Sequence, residues 1–384
     1  DAALSRLKHG FNSRRERHLK PHSRPANVNL IPASTTVQPW VGPWPSGLRL
    51  NPRTVFGSKS TRVVVRKLAP MLEIEGLTKR YGHRAVVDDL SFRCEAGEVL
   101  GFLGPNGAGK STTMKMVTGF VAPSAGRATV CGFDIESASL DARRSLGYLP
   151  EGAPTYSEMT PKSFLEFIAD VRGLKGTQKR ARLDEMIEIL HLGPVLDQSI
   201  DTLSKGFKRR VGLAQAIIHD PQVLILDEPT DGLDPNQKHE VRELIRSMSS
   251  GKLIVISTHI LEEVQAVCSR AIIIAGGRVL ADDPPDRLVA RSRYHNAVRL
   301  LLGADCDLDA ICADLVKLES VATTEADRKR RSVIAIAKQD SADGKAWHEV
   351  SKMAGERGWP ITGLQLESGR FDEVFRSITQ ELTK

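Results

Sequence analysis

Residues 104–112 read Gly-Pro-Asn-Gly-Ala-Gly-Lys-Ser-Thr, and no other stretch constrains the fold as tightly. The pattern G-x-x-x-x-G-K-[ST] works between the end of an apolar strand and the start of a helix. Both flanks are present: Glu98–Leu103 is an apolar strand running into the glycines, and Lys110–Gly119 reads as a helix. Glycines let successive backbone N–H groups face inward around phosphate oxygens, and the positive helix end adds favourable charge. Gly104, Pro105, Asn106, Gly107, Ala108, Gly109 and Thr112 therefore form a candidate phosphate cradle. Lys110 is placed to reach the β- and γ-phosphates of a nucleotide, and Ser111 to put its hydroxyl on Mg²⁺. The alternative is a glycine-rich turn that holds no nucleotide.

The rest of the chain supplies a frame for such a loop. Val223–Asp227, Leu253–Ser257 and Ala271–Ala275 are continuous apolar runs of strand length, which predicts a parallel sheet covered on both faces. Glu73–Leu77 and Val86–Arg93 read as strands around a turn at Tyr81-Gly82-His83. Gly276-Gly277 predicts a hairpin into Arg278–Ala281, and Pro284-Pro285 closes this part of the chain. Thr160-Pro161 is a helix start, with Phe164, Phe167, Ile168 and Val171 on one face of that helix. Leu183, Met186, Ile187 and Leu190 mark a second helix, and Phe207–His219 a third. After about Arg291 the order changes to strand, helix, two strands, helix, strand and a last helix from Arg370. That succession predicts a small ferredoxin-like domain over 291–384.

Val223-Leu224-Ile225-Leu226-Asp227-Glu228 ends in two carboxylates. Nucleotide hydrolysis needs a polarised, in-line water beside a metal-neutralised phosphate, so Asp227 suits Mg²⁺ and Glu228 suits the attacking water. An ordinary strand-end acidic pair is the plainer reading. Between loop and strand lies Leu203-Ser204-Lys205-Gly206-Phe207. A Leu-Ser-x-Gly element just before the acidic strand, downstream of a phosphate loop, resembles the ATP-binding cassette (ABC) family.

The resemblance covers roughly Met71 to Asp286 and implies an α/β fold: a RecA-like P-loop core, an antiparallel β subdomain and a helical subdomain at about 155–215. It implies that His259 contacts the γ-phosphate, although a lone strand-end histidine is more often structural. It implies that Tyr81 stacks on adenine, although a tyrosine at a turn is often packing. Glu151, in Tyr148-Leu149-Pro150-Glu151, stands where many cassettes carry a glutamine that ligates Mg²⁺; a carboxylate can still ligate a hard cation. Asp234 matches the loop that crosses between two cassettes, and Asp231 replaces a common serine there. Ser204 and the N–H of Gly206 would cap the γ-phosphate held by a second copy, while Lys205 and Phe207 depart from the usual glycine and glutamine. Ser204 as a simple helix cap is compatible with that role.

One set of elements implies a head-to-tail dimer, and the layout resembles the ATP-binding subunit of bacterial ABC-2 type exporters, with a likeness to the gliding-motility-type branch. The implied cofactors are ATP and Mg²⁺. The implied partners are a second copy and a separate integral-membrane permease, with a peripheral location on the cytoplasmic face of the inner membrane. A soluble ABC ATPase acting on ribosomes or DNA, and a nucleotide-gated module without turnover, are the competing functions. The first would usually carry two cassettes or a coiled-coil insertion; the second would be expected to lose Glu228 or His259.

Composition excludes other classes. No apolar run approaches the ~18–20 residues of a membrane span. The net charge of +7 is misleading, because residues 1–70 carry a net +11 and the remainder a net −4; nucleic acid is not an expected partner. That acid-poor, proline-rich stretch predicts a disordered leader. Met71 as the biological start and residues 1–70 as upstream translated sequence is one reading, and a transit peptide is another. Cys94, Cys131, Cys268, Cys306 and Cys312 show neither metal spacing nor a pairing pattern, which predicts reduced thiols.

Overall fold

The computed structural model describes residues 70–152, 155–304, 306–339 and 344–380. The expected disordered leader lies outside the described residues. An antiparallel pair opens the fold, β1 (Leu72–Tyr81) with β2 (Arg84–Cys94). β1 is longer than its apolar core suggested, because a register shift at Gly76, which adopts φ +59°, lets the polar Thr78–Arg80 segment stay paired. Tyr81 therefore ends the strand, opposite Arg84, and does not sit in the turn.

β3 (Val99–Leu103) is wholly buried and leads through the glycine loop into α1 (Lys110–Val117). β4 (Ala125–Val130) and β5 (Phe133–Asp134) extend the first sheet, and α2 (Ser139–Arg144) and β6 (Leu146–Leu149) return the chain to the core. The helices α3 (Pro161–Val171), α4 (Gly176–Ile189) and α5 (Lys205–Ile217) follow. Thr160 and Ser163 form a reciprocal capping box at the α3 start, worth about 1 kcal/mol. Phe164 is buried on α3, but Phe167 and Val171 on the same apolar face are exposed, so that face is only partly covered. The apolar face of α3 is wider than α4 and α5 cover.

β7 (Val223–Asp227), α6 (Pro235–Met248), β8 (Leu253–Thr258), α7 (Leu261–Val267), β9 (Arg270–Ala275), β10 (Arg278–Asp283) and α8 (Pro285–Val289) complete the larger part. The central sheet has the order β10-β9-β3-β8-β7-β6, parallel except for β10. Pro285 does not simply end this part but opens α8, where its fixed φ suits the first turn.

The C-terminal part holds β11 (Val298–Leu302), α9 (Leu308–Leu315), β12 (Val321–Asp327), β13 (Ser332–Ala337), α10 (Lys345–Arg357), β14 (Ile361–Leu366) and α11 (Phe371–Gln380). Its sheet is antiparallel in the order β12-β13-β11-β14, and side chains of α9 and α10 fill one face. Phe371, Phe375 and Ile378 of α11 pack back onto Val264, Leu288 and Val289.

The fold carries its chemistry at one edge. In register, Leu103 pairs with Thr258, Asp227 with Ser257 and Leu149 with Leu226. The glycine loop, Glu228, His259 and Glu151 thus all leave the carboxyl ends of adjacent parallel strands, the usual place for a ligand in an open α/β sheet.

Candidate functional site

Local backbone demands explain the loop. Gly107 and Gly109 adopt φ of +81° and +104°, a region that side chains with a Cβ avoid. At Gly109 a Cβ would also lie 2.7 Å from the Val86 carbonyl oxygen. Gly109 provides no side-chain cap, so the first N–H groups of α1 are left for a ligand.

Lys110 is 7% exposed and folds back over the loop, its Nζ donating to the carbonyls of Gly104 at 2.6 Å and Pro105 at 3.3 Å. Burial holds its ammonium below the ordinary lysine range, and the carboxylates of Glu228, Asp227 and Glu151 oppose that shift. Asn106, Gly107, Gly109, Lys110, Ser111, Thr112, Glu151 and Glu228 line one cleft, together with Val86.

Asp227 is 1% exposed, and neither carboxylate oxygen has a hydrogen-bond partner among the described residues. The same holds for Ser257 Oγ, on the residue opposite it. A buried carboxylate without donors is costly, and a cation is the simplest compensation. Glu228 lies in the left-handed region at φ +50°, held by its N–H to the Ser257 carbonyl at 2.8 Å. Its Oε1 lies 2.9 Å from His259 Nδ1, and its Oε2 accepts from Thr258 Oγ1 at 3.2 Å.

Other expected site residues lie apart from the cleft lining. Tyr81 is 53% exposed, with Lys79 Nζ 5.3 Å from its ring centroid. Ser204 caps α5, accepting from the Phe207 N–H at 3.3 Å, and is exposed. Gly206 is buried against Gln237, whose Oε1 would lie 2.6 Å from a Cβ there. Asp234 caps α6 by accepting from the Gln237 N–H at 2.9 Å.

Several neighbours of the site escaped sequence reasoning. Thr258 and Val86 are ordinary strand residues whose contacts exist only after folding. Glu263 on α7 is buried and accepts from Thr230 Oγ1, while Thr258 Oγ1 lies 3.4 Å from its other oxygen. Arg209 did leave a signal: with Gly206, Leu213 and Ala216 it falls on the buried stripe of α5, where a charge is out of place.

The arrangement combines a phosphate cradle, a lysine, an unpartnered buried carboxylate and a second carboxylate bonded to a histidine. Residues 87–231 match the family described as ABC transporter. The chain is 36% identical over 264 residues to the "Nod factor export ATP-binding protein I" of Rhizobium etli, spanning 68% of this chain and 80% of that protein. It is 38% identical to the "Probable multidrug ABC transporter ATP-binding protein YbhF" of Escherichia coli, over 58% of this chain and 38% of that one. Among solved structures, an ATP-binding subunit of an ABC transporter superposes with a TM-score of 0.53 at 32% identity, covering 57% of this chain and 91% of its own. A dimeric ATP-binding cassette bound to ADP and Pi has the same fold, at a TM-score of 0.52 and 21% identity over 56% of this chain and 99% of its own. The chain belongs to the ABC transporter family, as an ATP-binding and ATP-hydrolysing subunit.

Proposed function

We propose that this ATPase works as a head-to-tail dimer that drives a separate membrane permease in export. The observation that carries the reading is the convergence of Lys110, Ser111, Glu151 and Glu228 on one cleft beside the unpartnered carboxylate of Asp227. Ser111, Asp227 and Glu151 would hold Mg²⁺, which supplies charge neutralisation at the phosphates when bound. Lys110 exchanges its two carbonyl contacts for phosphate oxygens. Glu228 accepts the proton of the attacking water, and His259, bonded to Glu228, steadies it. Tyr81 offers an exposed ring for the base. Ser204 and Gly206 complete the site of the second copy. Export is the role named for the Rhizobium etli relative. In the same reading the domains divide near residue 290, and the strand order of the C-terminal sheet supports a ferredoxin-like module after it.

Among the described residues no helix is long and apolar enough to cross a membrane, and the proposed permease is a separate chain that needs a docking surface. A groove of about 830 Å³ suits that task. It is lined by Phe120, Leu140, Tyr148, Val171, Gln215 and His219, among others. Phe120, Leu140 and Val171 are 72%, 66% and 66% exposed, a concentration of apolar surface that invites a partner. Membrane fractionation of the native host tests the assignment. Wild-type chain should sediment with the inner membrane, and Phe120→Asp should remain in the supernatant with its ATP turnover intact. Equal sedimentation of the two chains, or none of the wild type, would refute it.

A further inference from the structure

α5 connects three places that the reaction has to keep in step. Its thirteen residues span about 20 Å. At one end stand Ser204 and Gly206. At the other, Gln215 Nε2 donates to the Tyr148 carbonyl at 2.7 Å, and the Arg182 guanidinium caps the carbonyls of Ile217 and Ile218 at 2.7 and 2.8 Å. Gln215 and His219 line the apolar groove there.

Between the ends lies Arg209, 6% exposed. Its Nη2 donates to the Asp227 carbonyl at 2.6 Å, its Nε to the Pro229 carbonyl at 3.1 Å, and its Nη1 to the Pro150 carbonyl at 3.3 Å. Among the described residues it forms no contact ion pair; its three hydrogen bonds go to carbonyls, with the carboxylates of Asp231, Asp227, Glu228 and Glu151 near enough to favour its charge. A buried guanidinium on an otherwise apolar stripe is costly to keep, and an apolar side chain would pack there without that cost. The placement of its three acceptors is what makes it useful. Asp227 and Pro229 flank Glu228, the residue in the left-handed backbone region, and Pro150 directly precedes Glu151. The planar fork fixes carbonyls from two separate segments in one geometry; a lysine ammonium keeps the charge and loses the fork.

We propose that Arg209 is a positioning residue for ATP hydrolysis, holding the backbone on both sides of Glu228 and the carbonyl before Glu151 in register with α5. The base and Glu151 are then aligned while α5 is seated against them. Any displacement of α5, from its exposed start or from the groove at its end, reaches Glu228 through one side chain. This inference rests on the reading of Glu228 as the base.

The test uses the full chain with Arg209→Lys, Glu228→Gln and the double variant. Turnover, affinity for a fluorescent ATP analogue and thermal midpoint are measured on each. Arg209→Lys should lose about 100-fold in kcat, the scale of a misplaced catalytic group, and hold nucleotide affinity within about threefold. The double variant should be no slower than Glu228→Gln alone, because both lesions act on one group. A purely structural role would lower nucleotide affinity and thermal midpoint together with turnover, and would add to the Glu228→Gln loss; either pattern overturns the proposal. So does wild-type kcat in Arg209→Lys, or failure of that conservative variant to fold. Full turnover in Glu228→Gln is a different failure: it removes the base assignment itself.

Discussion

Two helix starts in this molecule, those of α1 and α5, are finished differently. α1 begins after Gly109, which offers no side-chain cap, and is backed by Lys110, Glu151 and Glu228 of the same chain. α5 begins at Ser204, which caps the Phe207 N–H. The Lys205 beside it makes no ion pair among the described residues. The first start shares its cleft with the carboxylates of Glu151 and Glu228. The second has donors and no reactive group of its own. In the proposed head-to-tail dimer each start would supply what the other lacks. Breaking each start separately should therefore give different kinds of loss.

The largest effect belongs to the α1 side. Glu228→Gln keeps the cradle, Lys110 and Asp227, and replaces the proton acceptor with an amide that cannot take a proton. Turnover should fall by about 1,000-fold with nucleotide affinity retained. ATP should then hold two copies together long enough to be seen by size-exclusion chromatography. Wild-type turnover in this variant would contradict the role given to Glu228.

How much of this was legible beforehand differs between the two starts for a physical reason. The glycine loop and the acidic strand are each contiguous in sequence and show as local patterns: closely spaced glycines before Lys110, and an apolar run ending in two carboxylates. The central strands were readable for the same reason, since strands buried on both faces tolerate no polar alternation. β4, β5 and α2 were not foreseen. Polar Arg127 and Thr129 interrupt β4, and α2 is six residues of mixed character. α6 was hidden as well: only Val241 and Ile245 of its fourteen residues are buried. The left-handed backbone of Glu228 was not legible, because it goes with a bond from its N–H to the Ser257 carbonyl, a contact 29 residues away in the chain. Phe167 and Val171 share an apolar face with Phe164 as expected but are exposed, since periodicity marks such a face without showing how much of it is covered.

The next effect concerns the far end of α5, where burial replaces exposure. His219 Nε2 lies 3.1 Å from the Leu146 carbonyl, and Nδ1 has no partner among the described residues. Burial pushes the imidazole down to about 4, Arg172 and Arg182 push the same way, and the Leu146 carbonyl and Asp220 oppose. A histidine in the unfolded chain titrates near its ordinary value of about 6.5. Between those two values the unfolded chain carries a proton that the folded chain does not, so stability falls as pH drops from about 6.5 towards 4. The loss should reach about 2 kcal/mol, discounted for partial exposure. Urea midpoints at pH 7.5 and pH 5 measure it, and His219→Gln should flatten the difference. An unchanged slope in the variant would show that other groups set it.

The smallest expected effect is the most discriminating for the α5 start. In Ser204→Arg a long cation replaces the cap at the exposed end, outside the lining of the cleft formed by the same chain's Lys110 and Glu228. If Ser204 served only its own helix, the damage would be a lost cap, about 1 kcal/mol of stability with turnover per folded chain unchanged. If it completes the site of the second copy, a dimer of two altered chains loses both composite sites, and a dimer of one altered and one wild-type chain loses one. Purified mixed dimers should then hydrolyse ATP at roughly half the wild-type rate, each intact site being one of two related by symmetry. Pairing Ser204→Arg with Glu228→Gln separates the alternatives further. With the two changes on different chains, both fall on one composite site and the other site is intact, so turnover stays near half. With both on one chain, each composite site loses one element and turnover collapses. Equal rates for the two arrangements would mean that α5 of one chain does not reach the phosphate loop of the other.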